Sequence, residues 1–222
     1  MFSRDWFFGV DKKLRECGLD SDAQSFDEIL SNMKNRKIYD ADEFASHCIY
    51  VILAGGFSQK TAKIKHAEII NVLVRSGADY NTLIGIFGNK NKINAICRVW
   101  ENRVAWRNEY YALQNMNDRL SYLQTLPHIG KITANHLARN LGEDVVKYDI
   151  WIQRLGCAFV NKNLPIDNGN LSLDTKAACD AMFAHLVRET GLPRGYIDVV
   201  LWRGLQQKFI SMDDYLHKPP VM

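Results

Sequence analysis

Two short segments of this chain hold residues whose type and spacing suit chemistry as well as packing. The first reads Leu126-Pro127-His128-Ile129-Gly130-Lys131-Ile132-Thr133-Ala134-Asn135-His136-Leu137-Ala138. A helix ends near Leu126, because Pro127 cannot continue it. Gly130 permits a tight turn with positive φ. A new helix follows, with Ile132, Leu137 and Leu141 as its apolar stripe. A tight turn at a helix N-terminus aims backbone N–H groups outward, where they suit a phosphate. The same pattern also describes an ordinary helix–helix turn. The second segment reads Val145-Val146-Lys147-Tyr148-Asp149-Ile150-Trp151-Ile152-Gln153-Arg154-Leu155. An Asp just before an apolar helix is most simply an N-cap.

The elements that must position these residues are helical. Phe44, Cys48, Ile49 and Ile52 fall at spacings of three and four before Gly55-Gly56. Ile69, Ile70, Leu73 and Val74 repeat the pattern up to Gly77, as do Ile93, Ile96, Cys97 and Trp100. Ala177, Ala181, His185 and Ile197, Val200, Leu201 carry it to the C-terminal part. Such spacings put each set on one helix face, and alternation of period two is nearly absent. The expected fold is all α, with roughly ten helices. The polar stretch from Asn161 to Thr175 reads as an ordered loop or a connection between lobes.

With 222 residues, 47% of them hydrophobic, the chain can bury a real core in one large domain or two small lobes. The charged fraction of 24% argues against wholesale disorder. A net charge of +3 is compatible with nucleic acid only if the positive charge clusters. Cys17, Cys48, Cys97, Cys157 and Cys179 are scattered and odd in number. They form neither a disulfide framework nor a short-spaced metal loop, so no metal site built from side chains is expected. Scattered thiols fit a reducing compartment. The start lacks the apolar core of a signal peptide, and no apolar run reaches membrane-spanning length. The expectation is a cytoplasmic protein, nucleoid-associated if bacterial, with no membrane partner.

The order of turn, helix, short loop and Asp opening a further helix resembles the helix-hairpin-helix (HhH-GPD) DNA glycosylase superfamily, including its endonuclease III-like and 3-methyladenine glycosylase members. The likeness covers about residues 40 to 160. It implies a two-lobed helical fold with DNA in the cleft between lobes. One lobe, residues 38 to 146, carries the hairpin; the other combines residues 1 to 37 with 147 to 222. In that family the hairpin amides grip a DNA phosphate, which falls here on His128, Ile129 and Gly130. A monovalent cation often binds the hairpin's backbone carbonyls, and no other cofactor is implied. The family's catalytic aspartate falls on Asp149. Two departures stand out. His128 replaces the usual first hairpin glycine, where it keeps the turn or adds a phosphate contact. The lysine of the bifunctional members falls on Ile132, while Lys131 beside it points about 100° away around the helix.

The implied chemistry is excision of one base. Breaking an N-glycosidic bond builds positive charge on the sugar, which a fixed carboxylate stabilises while it orients or deprotonates water. Without a lysine nucleophile the product is an abasic site, and the enzyme is monofunctional. The target base must leave the stack, which calls for a wedge and for cations that hold the bent backbone. Phe57 or Gln59, in the loop after Gly55-Gly56, and Asn89, in the second candidate loop, are the wedge candidates. Lys60, Lys63, Lys90, Lys92 and Lys131 are the phosphate candidates. Trp151, within one helical turn of Asp149, is the first choice for stacking on the flipped base. The expected partner is double-stranded DNA bearing a damaged or modified base, bound by a monomer. Two alternatives remain open here: a phage-type DNA base hypermodification enzyme on the same fold, and a non-catalytic helix-hairpin-helix DNA-binding module.

Overall fold

The computed structural model describes residues 1–21, 24–56, 58–167 and 170–211. Eleven helices and no β-strand occur among the described residues. None of these helices is long and apolar enough to cross a membrane. The chain divides into two compact units, one of Lys34–Glu143 and one of Met1–Met33 with Asp144–Met222.

In the first of these units α3 (Ala41–Ala54) is the central helix. Asp40 starts it through a capping box with Glu43, which satisfies two otherwise orphaned amides. Phe44, Cys48, Ile49 and Ile52 are buried along it. Helix α6 (Lys90–Ala112) lies along α3 and contributes Ile93, Ile96 and Val99 to the same core. Helices α4 (Gln59–Ser76) and α5 (Tyr80–Ile86) complete one side of this core. The hairpin is formed by α7 (Met116–Leu123) and α8 (Lys131–Asn140). Leu123, Leu126, Ile129, Ala134 and Leu137 turn inward and anchor it. Arg119 on α7 pairs with Glu143, which also accepts from Tyr110 and so ties the end of the hairpin to α6.

The other unit packs α1 (Arg4–Glu16), most of α2 (Phe26–Asn35), α9 (Ile150–Val160), α10 (Leu173–Thr190) and α11 (Arg194–Gln206) around one core. Phe7, Leu14, Ile152, Leu155, Met182, Phe183, Ile197 and Leu201 are fully buried there. Helices α9 and α10 touch at Gly156. A Cβ at that position would stand 2.7 Å from Cys179 Sγ and 2.8 Å from the Cys179 backbone nitrogen. This close crossing fixes the axis of the helix that Asp149 opens. The expected all-α fold is the observed one.

Candidate active site and nucleic-acid interface

Asp149 is the N-cap of α9, and its carboxylate is held from several directions. Oδ1 accepts from the amides of Trp151 at 3.0 Å and Ile152 at 3.2 Å. Oδ2 lies 3.4 Å from the ammonium of Lys147. The residue is only 6% exposed, so its charge is desolvated and depends on these contacts. The backbone leading into it is pinned as well. The Lys147 amide donates to buried Asp198 at 3.1 Å. The Tyr148 carbonyl accepts from Gln153 at 2.9 Å, and the Gln153 amide group also closes on both backbone groups of Asp167. Tyr148 donates its hydroxyl to Asp180 at 2.6 Å, and Asp180 in turn takes Arg194 and Lys176 at 2.6 Å each. Burial, together with that hydrogen bond, pushes the Tyr148 phenol well above its ordinary value. The N-cap reading and the candidate carboxylate thus coincide in one side chain. Its geometry is set in advance, as electrostatic stabilisation of a developing cation requires.

Next to it, Trp151 is 42% exposed on the first turn of α9, with the Arg154 guanidinium 5.0 Å from its ring. Trp151 and Trp202 line an open cavity of about 650 Å³, floored by Leu205 and Ile210 and edged by Gln206 and Lys208. Lys147 joins cavity to carboxylate, since its ammonium sits 5.6 Å from the Trp202 ring as well as against Asp149. Lys147 carries no motif signal of its own. Only its place two residues before Asp149 would have drawn attention to it; a tight turn, closed by the Asp149 amide on the Lys147 carbonyl at 2.8 Å, separates the two.

The hairpin differs from the expectation in two respects. Gly130 is extended, with φ −93° and ψ −176°, and the positive φ of 61° belongs to His128. The turn closes by a bond from the Ile129 amide to the Leu126 carbonyl, which puts the left-handed residue one step before Ile129. The phosphate donors also move. The Ile129 amide is used by that bond, and the Gly130 amide donates to Thr133 Oγ1 at 2.7 Å. The donors without an acceptor among the described residues are the first-turn amides of α8, on Lys131, Ile132 and Thr133, together with that of His128. Gly130 still matters at this end of the helix. A Cβ there would meet nothing closer than Thr133 Oγ1 at 3.9 Å, so only an approaching ligand profits from the missing side chain. The carbonyls of Pro127, His128 and Ile129 have no donor among the described residues, which is a suitable oxygen set for a monovalent cation.

Lys92, on α6, is a further correction. It is not a phosphate contact on the surface. It is 8% exposed, and its ammonium donates to the carbonyls of Leu53 and Gly55, capping the C-terminal end of α3. Burial lowers its pKa. Lys60, Lys63, Lys90 and Lys131 are exposed. Asn89 is exposed, but its side chain accepts from the Lys92 amide at 3.1 Å as the N-cap of α6, so it is committed to the helix rather than available as a wedge. Gln59 opens α4, and Phe57 lies outside the described residues. His136 packs against Tyr50, which also faces His66, within the unit's interior. No cluster of three or more His, Cys, Asp or Glu side chains that would hold a metal occurs among the described residues.

No protein-family model matches the chain, and no curated protein matches it. Solved structures do, and the class they define is the DNA glycosylase fold, the one that the hairpin motif implies. The particular structures are Methanocaldococcus jannaschii 8-oxoguanine glycosylase/lyase in complex with a 15-mer DNA containing 8-oxoguanine, and Methanocaldococcus jannaschii 8-oxoguanine DNA glycosylase. The first is similar with a TM-score of 0.65 at 18% identity, over 84% of this chain and 91% of that one. The second gives a TM-score of 0.64 at 17% identity, over 82% of this chain and 86% of that one. At such identities the likeness shows the fold.

Proposed function

We propose that this protein is a DNA glycosylase that hydrolyses the N-glycosidic bond of a damaged or modified base flipped out of duplex DNA. The observation that carries the reading is the buried Asp149 carboxylate, held by the α9 amides and Lys147 beside the Trp151–Trp202 cavity. A flipped base stacks on the indoles, and the sugar lies against the carboxylate. As the C1′–N bond breaks, Asp149 stabilises the cationic sugar. Water adds at C1′, and its proton passes by way of Asp149 to the departing base. The free amides of the α8 first turn receive a backbone phosphate, with the exposed lysines around them. A monovalent cation on the turn carbonyls would strengthen that grip; no other cofactor is invoked, and the protein acts as a monomer. The similar structures support this reading, since one is crystallised on DNA containing 8-oxoguanine.

The reaction ends at the abasic site. That similar structure is described as a glycosylase/lyase. Here the position at which the bifunctional pattern carries its lysine holds Ile132, which has no nucleophile. The test is incubation with single-lesion duplexes, with 8-oxoguanine first and alkylated purines, mismatched pyrimidines and phage-type modified bases after it. Hot alkali then reveals abasic sites, and borohydride traps any Schiff base. Alkali-dependent nicks without a trapped adduct are expected. Spontaneous nicking with a borohydride adduct refutes water as the acceptor, and Lys131→Ala and Lys147→Ala identify the amine responsible. Failure to release any base from the panel refutes the glycosylase reading.

A further inference from the structure

Between α6 and the turn runs a shallow groove of about 230 Å³, lined by Asn91, Asn94, Ala95, Arg98, Pro127 and His128. Asn91, Asn94 and Arg98 are spaced by three and four residues, so they share one face of α6. All three are exposed, as is His128. No carboxylate lines the groove among the described residues. Arg98 makes no ion pair with any described residue, whereas the other two arginines of α6 are held in place. Arg103 is held by Asp42 and the Trp100 carbonyl, and Arg107 by the Tyr39 carbonyl. A guanidinium beside two carboxamides is a fork of donors that meets no carboxylate among the described residues. His128 supports the same reading. A glycine would adopt its φ of 61° at no steric cost, so the turn itself gives no reason for an imidazole there.

We propose that this groove holds a second backbone phosphate of duplex DNA, next to the one received by the first turn of α8. Arg98 is its main contact, and Asn91, Asn94 and His128 supply further hydrogen bonds. The inference rests on the DNA-binding part of the function proposed above. Arginine grips phosphate through two parallel N–H bonds, and asparagine side chains commonly add to such contacts. The grip extends along the strand and is indifferent to sequence. It also gives a function to the departure of His128 from the usual hairpin glycine.

The experiment is anisotropy of the full chain on an undamaged labelled duplex across a series of salt concentrations. Removing one phosphate contact flattens the log–log salt dependence by about 0.9, which is about eightfold in affinity near 0.1 M salt. Arg98→Gln should show both changes. Arg75→Gln removes the same charge from the exposed last turn of α4, away from the groove, and should leave the slope unchanged. His128→Gly preserves the turn and deletes the ring, and should weaken binding by about threefold. Thermal melts verify that each variant is folded. Arg98→Gln binding with the same slope and affinity as Arg75→Gln overturns the groove assignment while leaving base excision intact. A wild-type chain that binds no duplex at any salt overturns the DNA-binding reading itself.

Discussion

Asp149 performs two roles in one side chain, and a pair of substitutions separates them. Asp149→Asn keeps an oxygen for the Trp151 and Ile152 amides, and Asn caps a helix about as well as Asp. It loses the negative charge that meets Lys147 and the α9 dipole. The ion pair is worth about 0.2–1 kcal/mol and the dipole about 0.3–1 kcal/mol. Together they amount to about 0.5–2 kcal/mol, or a fall in Tm of roughly 1–8 °C for a chain of this size. Asp149→Ala loses the cap too, at a further cost of about 1 kcal/mol. If the carboxylate stabilises the charged sugar, both variants lose about 10²–10⁴ in rate, equivalent to about 2.7–5.4 kcal/mol of barrier. The expected order of single-turnover excision is therefore wild type far above Asn, with Asn and Ala close together. A residue that only caps gives the other order, with wild type and Asn alike and Ala lower. The assay is alkali-revealed strand scission on whichever duplex of the panel is a substrate, run well below each variant's Tm. Asp149→Asn within tenfold of wild type would refute the catalytic assignment.

Three further outcomes follow from the geometry. Gly130→Asp places a carboxylate at an N-cap whose backbone is already extended, so Tm should hold or rise by a degree or two. The new side chain occupies the α8 amides, and duplex binding should fall by more than tenfold, further than for Lys131→Ala; equal affinity for an abasic-site duplex would remove the phosphate from this turn. Gly156→Ala forces a Cβ onto Cys179 and should cost about 1–3 kcal/mol, measured by urea unfolding, whereas a neutral result would mean that α9 and α10 are free to separate. Burial lowers the pKa of His47 to about 4, with the nearby His66 adding to the shift. Its neutral form is the one the fold holds, so this stability is present above pH 6.5 and is lost as pH falls from about 6.5 to about 4. The loss reaches at most about 3 kcal/mol, and an unchanged pH dependence of urea stability in His47→Gln would show that another group is responsible.

The parts of this molecule legible in the sequence are those governed by near neighbours. Apolar residues at spacings of three and four specify helices wherever a core is available, and the all-α fold follows from that period. Pro127 and the polar residues before α8 mark the hairpin, and Asp149 marks the start of α9, because turns and caps are made by residues only a few positions apart. Even here the local rule misplaced one feature. Glycine permits a positive φ but does not compel it, and the bond from Ile129 to Leu126 gave that conformation to His128 instead. What only tertiary structure decided is which charges face solvent and which are used inside. Lys92, an ordinary loop lysine by spacing, meets carbonyls 37 and 39 residues earlier. Arg98, one of several arginines on α6, makes no ion pair with any described residue, because no carboxylate among them packs against it. Trp202 lies 51 residues beyond Trp151, yet both line one cavity, with Lys147 linking it to Asp149. Contacts of that kind depend on how helices cross, and the crossing is set by side-chain packing summed over the whole core, which no short segment encodes.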